Sequence, residues 1–333
     1  MPKVSVPLSI LDLAAVGREE TIAESFKGSV ELARAAERGS YRRVWYAEHH
    51  NISSIASSAT AVLIAHVAAH TESIRLGAGG VMLPNHSPLV IAEQFGTLET
   101  LHPGRIDLGL GRAPGTDQRT WMALRRDPNA SERFPQDVVE LQKFLGDESP
   151  LPGIRAIPGQ GTHVPLYILG SSLFGAELAA QLGLPYGFAS HFAPRFLHEA
   201  ITLYREEFKP SEQLREPYVI AGVGVIAAET EESAAAQLEA ARRIRARALF
   251  GRGKRLSEEE ITTLLESPQA AVVDEMLAYT AVGTADKVAA YLESFAAETE
   301  ADELITAHYS DSVPNRLRSV ELLAGALDTA GAS

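Results

Sequence analysis

Short runs rich in β-branched and aromatic residues alternate along the chain with longer stretches of helical periodicity, and this rhythm constrains the fold more than any other feature. Strand-like runs fall at Val4–Ile10, Arg43–Ala47, Ile74–Val81, Ile106–Gly111, Val164–Leu169, Tyr186–Ala189, Tyr218–Ala227 and Leu304–Ala307. They are mostly apolar rather than alternating, as expected for parallel strands covered on both faces. Helical stretches separate them at Glu19–Arg38, Ser57–Thr71, Pro88–Leu101, Leu173–Leu182, Pro194–Phe208, Glu229–Arg247 and Ala285–Thr299. In the first of these, Ile22, Phe26, Val30 and Ala33 recur at helical spacing and Gly39 supplies a stop. Eight repeats of this kind predict an α/β fold of the (β/α)8 TIM-barrel type, because right-handed crossovers around one parallel sheet close most simply at that number. A doubly wound open sheet is the competing arrangement.

The chain of 333 residues exceeds the usual domain length, but α/β barrels run as one domain of roughly 250 residues plus insertions, so residues 1–333 read as a single barrel domain. Two connections are long. Ala113–His163 follows strand 4 and contains one helix, Ser131–Leu145; Phe250–Gly283 follows strand 7 and carries a basic cluster before a short helix. Both insertions belong at the C-terminal face, where barrel active sites form.

A formal charge of −13 repels phosphate backbones and anionic headgroups, so neither nucleic acid nor a membrane surface is an expected partner. The absence of cysteine removes disulfides, thiolate metal sites and a cysteine nucleophile together. No apolar run approaches a membrane span, and Pro7 and Asp12 interrupt the N-terminal stretch that a signal peptide would need. The expectation is a cytoplasmic protein acting on a small molecule.

Candidate functional residues gather where the strands end. Glu48-His49-His50 closes strand 2; adjacent residues of a strand point to opposite faces, so at most one of the two histidines looks into the barrel mouth. Gly77 to Gly80 end strand 3, where glycines mark either a bulge or the close approach of a flat ligand. The glycines before Arg112 have the wrong spacing for a dinucleotide fingerprint, which leaves Arg112 either as a cation for a phosphate or as half of a structural ion pair. Gly170-Ser171-Ser172-Leu173-Phe174-Gly175 ends strand 5 and opens a helix, so it offers free N–H groups to a phosphate unless one serine simply caps the helix. Its spacing differs from a G-x-S-x-G elbow, which argues against an esterase. Ser190-His191-Phe192 and His308-Tyr309-Ser310-Asp311 end strands 6 and 8 and either line a substrate pocket or only ring the mouth. His66 and His70 have the spacing of helical zinc ligands but lack the glutamate of H-E-x-x-H, and no metal is expected. The basic run Arg242, Arg243, Arg245, Arg247, Arg252, Lys254 and Arg255 reads as a solvated helix face with its loop, docking of an anionic reductant or cofactor being the alternative.

Taken together, Ala47-Glu48-His49-His50, the segment from Gly79 to Pro88, Gly104 to Arg112 and Ala179 to Pro185 resemble the bacterial luciferase-like flavin monooxygenases over nearly the whole chain. The resemblance implies a (β/α)8 barrel that takes reduced FMN from a separate flavin reductase. It adds O2 at the flavin C4a position and oxidises an aldehyde or another small substrate, commonly as a homodimer. By the same resemblance His49 is catalytic and Gly79-Gly80 is a cis pair beside the flavin ring. Arg112 touches the flavin phosphate, and Leu169, Gly170, Ser171, Ser172 and Gly175 form the phosphate-binding turn. His191 and Phe192 are read as substrate-pocket residues. Gly111 replaces a cysteine of the luciferase pattern and Ser171 a carboxylate, which argues against light emission but not against flavin. The alternatives are a flavin-binding protein of the same fold without turnover, a deazaflavin-dependent hydride-transfer enzyme, and metal-dependent hydrolysis.

Overall fold

The computed structural model describes residues 3–113, 117–127, 129–251 and 256–325. The first half of the chain runs β1 (Leu8–Asp12), α1 (Ile22–Arg38), β2 (Arg43–Tyr46), α2 (Thr60–Ala68), β3 (Arg75–Met82), α3 (Pro88–Leu101), β4 (Ile106–Gly111), α4 (Gln118–Ala123) and α5 (Phe134–Leu145). The second half continues with β5 (Leu166–Gly170), α6 (Leu173–Leu182), β6 (Tyr186–Phe188), α7 (Leu197–Glu207), β7 (Val219–Ala227), α8 (Glu231–Gly251), α9 (Glu258–Leu265), α10 (Ala270–Met276), β8 (Thr280–Gly283), α11 (Ala285–Thr299), β9 (Glu303–His308) and α12 (Val313–Ala324). Parallel pairing passes from β1 through β7, on to β9 and back to β1, so eight strands close into a barrel with helices outside. The chain therefore has the (β/α)8 architecture that its rhythm predicts, and the open-sheet alternative falls.

Four elements escaped the sequence pattern: α4 and one of the pair α9 and α10 within the insertions, and also β8 and α12. β8 lies inside the stretch read as a connection with one helix, and it pairs with the far half of β7, from Gly224 with Thr280 to Ala227 with Gly283. β7 is nine residues long, enough to serve β6 and β9 with its first part and β8 with its last. Four residues of strand, Thr-Ala-Val-Gly, are too few to show a period. α12 follows β9 and is capped by the Ser312 hydroxyl on the Asn315 N–H, with Pro314 in its first turn. It packs on α1 where Gly28 admits Val313 and Gly39 admits Ala324, which completes the outer ring of helices.

Inward-facing side chains form two distinct levels. At the N-terminal end, Arg43 is buried and donates to Asp107 at 2.8 Å, to the Tyr167 hydroxyl at 2.7 Å and to Glu303 at 3.1 Å. Trp45 Nε1 donates to Asp107 at 3.0 Å, Tyr218 donates to Glu303 at 2.7 Å, and Arg75 and Ser9 bind the same two carboxylates. This network satisfies every carboxylate oxygen in the plug, which is the condition for burying charge without severe loss. Nearer the C-terminal end the inward positions become small: Gly79, Gly109, Gly187 and Gly222. Leu169 fills part of that space, since a Cβ on Gly80, Gly109 or Gly187 would come within 2.8 Å of its methyl groups. A charged plug below and glycines above place any open volume at the mouth.

Candidate active site

The first wall of the mouth is the exit of β2. Carrying the strand's alternation forward puts His49 in phase with the inward residues Arg43 and Trp45, while Glu48 and His50 take the opposite phase. Glu48 is buried; its carboxylate accepts from His50 Nε2 and His86 Nε2 at 2.8 Å each and from the Met82 N–H at 3.0 Å. Burial pushes this carboxyl up, but the hydrogen bonds from His50 and His86 prevail and hold it at about 2. His50 is thus a partner of Glu48 that braces β2 against the exit of β3. His49 is half-buried, its N–H donates to the Ser57 carbonyl at 3.1 Å, and its charge acts on His191 across the mouth.

The Gly79–Gly80 peptide is cis. Pairing with β4 shifts there: Ala78 faces Leu108 and Val81 faces Leu110, so β3 carries one extra residue and forms a bulge. A Cβ on Gly79 would sit 2.7 Å from Leu11 and 2.9 Å from Trp45, and one on Gly80 2.6 Å from the Gly109 carbonyl oxygen. Protein atoms account for the missing side chains at both positions, which places the two glycines as a tightly packed bulge at the rim.

The turn after β5 and the exit of β4 meet. The Arg112 guanidinium lies over the Phe174 ring, 4.0 Å from its centre, so the cation stands beside the first turn of α6. Ser172 occupies the N-cap of that helix with φ −150° and ψ 164°, yet its side chain makes no cap hydrogen bond. The opening N–H groups of α6 therefore remain directed outward at the positive end of the helix dipole. Gly170 and Gly175 pack face to face, a Cβ on either lying within 3.7 Å of the other's Cα. Beneath them the Tyr186 hydroxyl donates to the Ser172 carbonyl at 3.1 Å and fixes the turn from the barrel side. Leu169 enters this turn through its backbone, while its side chain points into the barrel. This donor set of N–H groups, hydroxyls and one guanidinium fits a phosphate.

His191 and Phe192 lie across from His49. His191 is buried against Gly222, a Cβ on which would stand 2.5 Å from Nδ1, and that nitrogen has no partner. Burial, then the neighbouring charges of Arg245 and His49, push His191 down to about 3, so it is neutral at physiological pH. Phe192 is exposed and stands edge-on to His191, ring centres 5.0 Å apart. Tyr309, at the end of β9, donates to the His191 carbonyl at 2.6 Å and carries the Arg245 guanidinium over its ring at 4.6 Å. From the insertion after β4, α4 also reaches back to the β2 exit, where Asn51 donates to Thr120 at 3.2 Å.

Several readings change. The arginines of α8 are not a solvated face: Arg242 pairs with Glu239 and Asp274, Arg243 and Arg247 with Glu258, and together they fasten α8 to α9 and α10. Arg252, Lys254 and Arg255 of the same run, and Pro114 and Gly115 after Arg112, lie outside the described residues. His308 is buried between Thr306 and Ser319, a core residue rather than a pocket wall. His70 donates Nδ1 to the His66 carbonyl at 2.7 Å, and among the described residues no cluster of three metal-ligating side chains occurs. Among the same residues no helix is long and apolar enough to cross a membrane. Glu48 and His86 were legible only as members of a motif and Arg245 only as one of a basic run, while Tyr186 carried no local signal, since its partner lies in another element.

The model of the luciferase-like monooxygenase family matches residues 6–303, and the chain belongs to this family. A luciferase-like monooxygenase of Escherichia coli (strain K12) is 46% identical over 325 residues, covering 97% of each chain. An N-acetyl-S-alkylcysteine monooxygenase of Bacillus subtilis (strain 168) is 42% identical over 189 residues, 55% of this chain and 57% of that one. The crystal structure of apo-MsnO8 superposes with a TM-score of 0.85 at 37% identity, covering 96% of this chain and 98% of the other.

Proposed function

We propose that the protein is a flavin-dependent monooxygenase that takes reduced FMN from a separate flavin reductase and oxidises a small organic substrate with O2. The observation that carries the reading is the meeting of Arg112 with the uncapped start of α6, a phosphate-shaped donor set beside the mouth of the barrel. Bound there, reduced flavin supplies two electrons to dioxygen, one oxygen atom passing to the substrate and the other leaving as water. Arg112, Ser171, Ser172 and the N–H groups of Leu173 and Phe174 hold the phosphate, with Gly170 and Gly175 keeping the turn narrow. Gly79-Gly80 form the rim against which the ring system rests. His49 holds or moves a proton at the substrate side of the mouth, in the phase that faces the barrel axis. His191, neutral by burial, and Phe192 give that side a largely apolar wall. The insertion after β4, with α4 over the β2 exit, shields the site from water. One domain over residues 1–333, acting in the cytoplasm as a homodimer, completes the proposal.

The substrate named for the Bacillus relative offers a first assay compound, N-acetyl-S-methylcysteine, whose thioether sulfur accepts a single oxygen atom. In a reductase-coupled assay, His49→Ala is expected to lower the oxidation rate by about 10²–10⁴-fold, with FMN affinity kept within threefold. An unchanged rate removes His49 from the chemistry. Parallel titration of the purified protein with FMN and with a deazaflavin separates the two cofactor readings, and tight binding of the deazaflavin alone rejects the monooxygenase assignment.

A further inference from the structure

The proposed site has a cation that the flavin phosphate does not explain. A guanidinium is stabilised in the folded chain by a carboxylate partner. On α8, Arg242, Arg243 and Arg247 all find one, at 2.9, 3.0 and 2.5 Å. Arg245 points the other way, toward the mouth. Its guanidinium covers the Tyr309 ring at 4.6 Å, and among the described residues it forms no ion pair. It is half-buried, and its charge acts on the buried His191, whose own carbonyl accepts from Tyr309. Glu48, at the exit of β2, is engaged by His50, His86 and the Met82 N–H. Arg245 thus joins the imidazoles of His49 and His191 and the Tyr309 phenol at the mouth.

A partly desolvated guanidinium without a counter-ion is unfavourable, and an anionic ligand relieves it. Stacking on Tyr309 fixes the plane of Arg245 and leaves its fork edge for two parallel hydrogen bonds, the geometry that matches a carboxylate. We infer that Arg245, held by Tyr309, binds the carboxylate of the substrate, so that this enzyme acts on small monocarboxylic acids whose reactive atom lies between that anchor and the flavin. The inference rests on the monooxygenase reading for the reaction but not for the binding.

The test compares N-acetyl-S-methylcysteine with its neutral primary amide on the full-length protein loaded with oxidised FMN, by isothermal titration and by flavin fluorescence. The acid is expected to bind at least about ten-fold more tightly than the amide, the worth of one charge-assisted hydrogen-bonded pair. Arg245→Met keeps the aliphatic stem on Tyr309 and should reduce the acid to the level of the amide; Arg245→Lys should recover part of the preference. In turnover the Arg245→Met KM for the acid rises at least ten-fold with kcat within threefold. Equal binding of acid and amide to the native protein, no measurable binding of either, or an equal loss for both in Arg245→Met overturns the inference. FMN affinity is read separately: failure to bind FMN rejects the proposed reaction, while the preference for acid over amide, measured on the flavin-free protein, still decides the role of Arg245.

Discussion

Arg112 is the residue on which the phosphate anchor turns. A guanidinium bound to phosphate contributes about 1.5–3 kcal/mol, so Arg112→Ala should weaken FMN by roughly 10–150-fold and leave riboflavin, which lacks the phosphate, nearly unchanged. Fluorescence titration of the two flavins checks this, and equal losses for both would mean that Arg112 serves the ring or the fold instead. Lysine at this position restores charge without the stacked plane over Phe174, so an intermediate FMN affinity is expected. His49 and Arg112 were legible in the sequence because each sits at a strand end inside a run of motif residues. Arg245 was hidden, since four arginines in six residues of one helix look alike until the tertiary structure shows which of them lacks an acid.

Glycines on the strands differ in what occupies their missing side chain, and substitution should separate them. A Cβ on Gly109 would lie 2.3 Å from the Ala78 carbonyl oxygen, a backbone atom that cannot yield without parting β3 from β4. At Gly170 the closest atoms are 3.7 Å away, ordinary contact. Gly109→Ala should therefore destabilise the protein by at least about 2–3 kcal/mol, and Gly170→Ala by less than about 1 kcal/mol. Urea unfolding of the two variants decides between them, and comparable losses would contradict the packing described. The turn after β5 offers a subtler case: Tyr186→Phe removes the bond to the Ser172 carbonyl, and FMN affinity should fall several-fold with little loss of stability. Retained affinity would show that the turn holds its shape alone.

For the molecule as a whole, acid is the informative perturbation. His191 and His308 are both buried and both driven down to about 3, chiefly by burial, with Arg245 and His49 adding to the first and Arg316 to the second. In the unfolded chain each titrates near 6.5. The unfolded state therefore binds more protons below that pH, and stability falls as pH drops from about 6.5 toward 3, each histidine adding up to about 1.4 kcal/mol per pH unit to the slope. Measured between pH 6.5 and 5, above the range of most carboxylates, His308→Gln should show a shallower fall of the urea midpoint with pH than the native protein. An identical slope would remove His308 from the acid response.

The closed barrel was written in the chain itself, because eight strand-like runs at βα spacing leave few ways to bury both faces of a parallel sheet. The same sequence marked the strand ends as the functional face, and its resemblance to the family singled out His49, Arg112 and the turn from Leu169 to Gly175 among them. β8 and α12 went unread, the first because four residues are too few to show a period. The tertiary structure alone decided that His50 and His86 share the Glu48 carboxylate and that Ser172 leaves its helix uncapped. It alone left Leu169 to fill the space of three glycines and kept one arginine of α8 at the mouth without an acid. Periodicity is a property of neighbours along the chain and survives in a linear reading, whereas the partner of a buried charge is set by where distant strands close upon one another.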